Sequence, residues 1–113
     1  MITEDYVSFE VAKLMKEKGF KERTNMPYVD DYQRLVCYIP TLQMAMKWLR
    51  EEHNLHFLLS PYNRDSNPLV VYYNIDVVKP PEFAESFYSN IGKDLLYEEA
   101  CEEAIRYCLE NLI

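Results

Sequence analysis

Both histidines of the chain fall in one stretch, REEHNLHFLL from Arg50 to Leu59, three residues apart and just behind a pair of glutamates. Neutral imidazole is a common zinc ligand, so the pair raises the question of a metal site. The spacing argues against one. Two histidines three apart share a face only if a single helix runs through both, whereas Asn54 is a natural left-handed stop and LHFLL reads as the start of a strand. The zinc-protease pattern HExxH is also missing, since Asn54 and Leu55 stand between the two rings. No metal site is expected, and His53 is expected to favour the end of its helix through its charge or by hydrogen bonding to the last carbonyls.

Cysteine chemistry is the next candidate. Cys101 and Cys108 are seven apart in one helical pattern, about 10 Å along its axis, too far to bridge. Both fall on the apolar stripe of that helix and Cys37 alternates inward on a strand, so reduced and unreactive core thiols are expected. Gly19 and Gly92 are the only glycines, which removes Walker and dinucleotide fingerprints, and no GxSxG elbow exists. Tyr38 and His56 could exchange a proton if a pocket joined them, but no third group orients the imidazole. No catalytic constellation and no cofactor are expected.

Charge narrows the partners. The net charge is −7, and from Glu82 to Ile113 there are eight acidic and two basic residues against eleven and ten before them. An acidic third repels phosphate backbones, so nonspecific nucleic-acid binding by the whole domain is disfavoured. Apolar residues make up 49% of the chain, enough for a packed core, and 113 residues fit one domain, 1–113. No run approaches the roughly 20 apolar residues of a membrane helix, and the start MITEDY is acidic where a secretory signal is basic and apolar. A cytoplasmic protein without membrane contact is expected.

The elements that would position these residues can be read from periodicity and punctuation. A helix is expected from about Ser8 to Lys18, capped by Ser8 and closed by Gly19, with Val11, Leu14 and Met15 on one face. YVDDYQ reads as a hairpin turn, followed by a strand with Leu35, Cys37 and Ile39 on one face and Arg34, Val36 and Tyr38 on the other. Thr41 caps a second helix carrying Leu42, Ala45, Met46 and Leu49. LHFLL (Leu55 to Leu59) and LVVYYNIDVV (Leu69 to Val78) read as strands flanking the turn chemistry of PYNRDSNP. Between Lys79 and Lys93 a short helix and an edge segment fit equally. The last helix carries Tyr97, Ala100, Cys101, Ala104, Ile105, Cys108, Leu109 and Leu112 as an apolar stripe. Its glutamates suit a solvated face supported by Glu102–Arg106 and Arg106–Glu110 pairs, with a docking surface for a basic partner as the sharper alternative.

The order helix, two strands, helix, two strands, helix predicts an α+β domain, a mostly antiparallel sheet with helices packed on one face. If all strands join, the other face carries Arg34, Val36, Tyr38, His56, Leu58, Val70, Tyr72 and Asn74. Such a mixed aromatic surface marks a protein contact, with the Phe83 to Tyr88 segment, including Phe87, as cover or extension. The candidate binding residues are therefore Arg34, Tyr38, His56, Tyr72, Phe83, Phe87 and Tyr88.

VSFEVAKLMKEKGF, TLQMAMKWLREEHNLH and YEEACEEAIRYCLENLI together resemble a group of small proteins of unknown function from gut anaerobes, often associated with prophages or other mobile elements. The resemblance covers both ends and the middle helix, not the segment from about Pro61 to Asp94, and implies no activity, cofactor or site residue. The expected function is a non-enzymatic interaction module that binds a protein partner or a second copy of itself as a homodimer. The alternative is a phage-associated nucleic-acid-linked regulator using Lys13, Lys16, Lys21 and Arg23 as a local basic patch.

Overall fold

Residues 4–63, 69–80, 86–89 and 95–113 are described by the computed structural model, with 86–89 followed along the backbone. The first helix, α1 (Phe9–Glu17), begins where Ser8 Oγ accepts the N–H of Val11 at 3.3 Å. It ends at Gly19, whose φ of 110° lets the Phe20 N–H reach the Met15 carbonyl at 2.8 Å and the Gly19 N–H reach Lys16 at 3.2 Å. These are the paired bonds of a Schellman end, and they turn Phe20 back under the helix to a nearly buried position.

Strands β1 (Pro27–Val29) and β2 (Leu35–Tyr38) form the expected hairpin. Its turn is organised by Asp30, whose Oδ1 accepts the N–H groups of Tyr32 and Arg34 at 2.8 and 2.9 Å while Oδ2 meets Arg34 Nε at 3.2 Å. The register jumps between Tyr28 and Val29, which pair with Cys37 and Leu35, so Val36 is an extra residue on β2. Such a bulge breaks simple alternation. Cys37 points inward, but Leu35, expected on the same face, is 50% exposed.

Pro40 closes β2, and Thr41 Oγ1 accepts the Met44 N–H at 3.1 Å to start α2 (Leu42–His53). Asn54 stops it in the left-handed region, φ 56° and ψ 35°, with the Asn54 and Leu55 N–H groups both folded back on the Leu49 carbonyl. From there β3 (His56–Tyr62), β4 (Tyr72–Val78) and β5 (Ser86–Ser89) build a three-stranded antiparallel sheet in that order. β3 extends past Leu59 through Pro61, because an edge strand tolerates a proline whose missing N–H would face outward. β4 starts at Tyr72 rather than Leu69, which is 89% exposed. The described part of the ambiguous segment is thus an extended edge strand; Phe83 lies outside the described residues.

The last helix, α3 (Tyr97–Tyr107), continues through a π-helical turn, Cys108–Leu112. Ala100, Cys101, Ala104, Ile105, Cys108 and Leu109 are fully buried, and burying a side chain such as Ile105 contributes about 2 kcal/mol. This stripe is the centre of the molecule: α3 packs on β4, α2 and α1, while the β1–β2 hairpin rests on α1.

The domain is α+β, with antiparallel strands and helices in the expected order. The finer arrangement differs, because the strands belong to two small sheets and the hairpin and β3 share no contact among the described elements. The chain running from Asp5 to Val7 lies beside Pro40–Leu42, with Val7 N–H on the Pro40 carbonyl and Leu42 N–H on that of Asp5. Lys16 Nζ donates to the Val36 carbonyl. These contacts use the backbone that would have led β2 toward a shared sheet.

Candidate interaction site

Residues expected to share one mixed sheet face are divided between the two sheets. Arg34 sits in the hairpin turn, paired with Asp30 and with its guanidinium 5.0 Å from the Tyr32 ring centre. Tyr38 ends β2, half-buried. His56 opens β3 and Tyr72 opens β4, but β3 and β4 run in opposite directions, with His56 opposite Val78 and Tyr72 opposite Tyr62. His56 and Tyr72 therefore stand at opposite ends of the sheet, about 20 Å apart at the usual rise per residue. Phe87 and Tyr88 lie in β5, with the Tyr88 backbone opposite Val77. Tyr38 and His56 occupy different sheets.

The two imidazoles also part company. His53 ends α2 with its ring edge-on to Trp48 at 4.8 Å. His56 Nε2 lies 3.0 Å from Asn54 Oδ1, and Asn54 Nδ2 donates to the Pro80 carbonyl at 3.4 Å. Because an amide oxygen only accepts, His56 carries its proton on Nε2. The left-handed turn at Asn54 thus places one ring against an indole and the other against the turn itself.

All three thiols are buried. Desolvation pushes Cys101 up to about 11 and Cys108 up to about 12 from an ordinary 9.0. Burial also raises Cys37, where Lys16 and Lys13 pull in the opposite direction. Protonated thiols in apolar surroundings are poor nucleophiles.

What the fold does assemble is a cleft between the C-terminal end of α1 and the hairpin. It encloses about 280 Å³ and is lined by Lys16, Phe20, Lys21, Glu22 and the β2 residues Leu35, Val36, Cys37 and Tyr38. Its lining is mostly aromatic and aliphatic, with Lys16, Lys21 and Glu22 as the charged members. The Schellman end at Gly19 makes this geometry, since it sets Phe20 beneath the helix and leaves Lys21 beside it. The hairpin above it carries exposed Met26, Tyr28, Val29, Tyr32 and Leu35 within ten residues. Tyr28 is anchored by stacking on Phe9 at 3.9 Å, with Lys13 Nζ 5.4 Å from the Phe9 ring centre.

Of this cleft the sequence reading identified Tyr38 as a candidate binding residue and the lysines as a basic patch, and it missed Phe20 and Leu35. Gly19 was the signal for Phe20, because a residue just beyond a left-handed cap packs back on the last turn. No comparable signal existed for Leu35.

On another side, Asp5, Tyr6, Leu42, Glu98, Glu99 and Glu102 line an acidic groove of about 380 Å³. Two of its four carboxylates have structural duties: Glu99 Oε1 accepts the Leu96 N–H at 3.2 Å, and Glu102 accepts the Ser8 N–H. Glu102 therefore turns to α1 rather than to Arg106, and the expected Glu102–Arg106 and Arg106–Glu110 pairs are not formed among the described residues. No protein-family model, curated protein or solved structure matches the chain.

Proposed function

We propose that this chain is a non-enzymatic protein-interaction module that holds an acidic, apolar peptide segment of a partner in the cleft between α1 and the hairpin. One observation carries the reading: a mostly apolar cleft, whose charged lining is Lys16, Lys21 and Glu22, lies beside the hairpin, where exposed large apolar side chains are concentrated. Apolar side chains scattered singly on a surface need no explanation, whereas a contiguous group rimmed by polar residues marks a contact site. Lys13, Lys16 and Lys21 supply a local positive field on a chain of net charge −7, so a partner's carboxylates are steered to this face rather than to the acidic groove.

The test is selection from a displayed peptide library against the intact protein. Enriched peptides should combine acidic residues with an aromatic or aliphatic anchor, and their binding should weaken as salt rises. Leu35→Asp should reduce affinity by about tenfold or more, as loss of a central apolar anchor does. Enrichment of basic peptides, or full binding by the Leu35→Asp protein, would overturn the reading.

A further inference from the structure

The edge of β3 away from β4, which pairs with no other strand among the described residues, has a composition that edge strands usually avoid. Its seven residues, HFLLSPY, include no Lys, Arg, Asp or Glu, and Leu58 on its outer side is 58% exposed. Long uncharged edges are templates for pairing with another chain, and proteins commonly blunt them with charge. Among the described elements β3 touches only β4 and α2.

The hydrogen-bonding pattern of that edge follows from β4. The Tyr73 N–H donates to the Leu95 carbonyl at 2.9 Å, on the side of β4 away from β3. Tyr73 and its partner Pro61 are therefore a non-hydrogen-bonded pair, and by alternation so are Leu59–Ile75 and Phe57–Val77. The N–H and C=O groups of Phe57 and Leu59, and the C=O of Pro61, point outward from the sheet.

We propose that two copies of this chain pair antiparallel through β3, about a two-fold axis at Leu58, joining their three-stranded sheets into one six-stranded sheet. In that register Phe57 of each copy faces Leu59 of the other and exchanges both bonds with it, so every outward N–H and C=O of these residues is satisfied. Moving the axis to Leu59 would set the Phe57 carbonyl against Pro61, which has no N–H to give. Moving it to Phe57 would call on the Leu55 N–H, already bonded to Leu49 at 3.1 Å. The Leu58 axis pairs every outward group of Phe57 and Leu59 and leaves only the Pro61 carbonyl to solvent, and it brings the two exposed Leu58 side chains together as a close non-hydrogen-bonded pair. The apposed strands bring no like charges together, and since each chain carries −7 elsewhere the pairing should strengthen as salt screens that repulsion. The contact is isologous and closes as a dimer. It uses other elements than the peptide cleft, so either surface can fail without the other.

Light scattering across a dilution series should show the mass rising from 13.5 kDa toward twice that value, and Leu58→Lys should return it to the single-chain mass while unfolding with the native protein's thermal curve at dilutions where that protein is itself a single chain. The register is read by oxidation. Leu58→Cys places two thiols in a pair whose Cα separation suits a disulfide and should give a covalent dimer, whereas Ser60→Cys, opposite His56 of the other copy, should not. A mass of 13.5 kDa at the highest soluble concentration would overturn the proposal. So would a dimer indifferent to Leu58→Lys, or cross-linking at Ser60→Cys as complete as at Leu58→Cys.

Discussion

Replacing Asn54 separately by glycine and by alanine measures what holds the corner between α2 and β3. In the native protein the residue sits at φ 56° and ψ 35°, donates through Nδ2 to the Pro80 carbonyl and accepts from His56 Nε2. Both substitutions remove the two side-chain bonds, each worth about 0.5–1 kcal/mol net at an exposed site. Glycine enters the left-handed region without a Cβ clash, although it costs about 0.5–1 kcal/mol in unfolded-state entropy. Alanine avoids that cost but has a Cβ that opposes the left-handed conformation by about 1–2 kcal/mol. The expected losses are about 2 kcal/mol for Asn54→Gly and about 2–3 kcal/mol for Asn54→Ala, so stability falls in the order Asn, Gly, Ala. In a domain of this size each kcal/mol moves the melting temperature by about 4 °C. Urea unfolding followed by circular dichroism, with equal m-values for the three proteins, gives the differences directly. An alanine variant more stable than the glycine one would refute the reasoning, because it would mean that position 54 is helical and α2 runs on toward His56.

Gly19→Ala should cost about 1 kcal/mol although a Cβ there meets nothing within 4 Å, because φ is +110° and the penalty is conformational; an unchanged urea midpoint would contradict this. The buried thiols predict a loss of stability in alkali. Cys108 is raised from 9.0 to about 12, so the native state keeps a proton that the unfolded chain gives up. Its contribution is complete below pH 9 and is lost toward pH 12 at about 1.4 kcal/mol per pH unit. Cys108→Ala should flatten the alkaline limb of a stability–pH curve by that slope, and an unaltered limb would show the thiol to be unshifted. For the same reason a maleimide or disulfide reagent should label Cys101 and Cys108 only at the rate of unfolding; labelling at the rate of a free thiol would place them outside the core.

The parts of this fold that were legible in the sequence are those set by short-range bonds. Ser8, Thr41, Gly19 and Asn54 each announce a helix end because their partners lie within a few residues, and the stripe on α3 follows from helical period alone. Strand partnership was not legible. β2 and β3 show similar apolar alternation, and what separates them is contact across distance, with Lys16 bonding to the Val36 carbonyl and the Asp5–Val7 stretch lying along Pro40–Leu42. The site suffered most from one irregularity. The extra residue Val36 reverses the alternation between Cys37 and Leu35, which turns a side chain expected in the core into the exposed apolar residue of the cleft wall. Glu102 shows a similar limit, since helical spacing offers it Arg106 but tertiary packing gives it the Ser8 amide.

The claim that the α1–hairpin cleft is a partner-binding surface is tested most directly by placing a photo-reactive amino acid at Leu35 and, in a second protein, at Leu96. The two positions are 50% and 49% exposed, so they sample solvent equally and differ in their surroundings. Irradiation in the host cell followed by mass spectrometry should give a discrete cross-linked partner from position 35, attached through an acidic, apolar segment, and none from position 96. Equal and diffuse cross-linking from both positions would contradict the account.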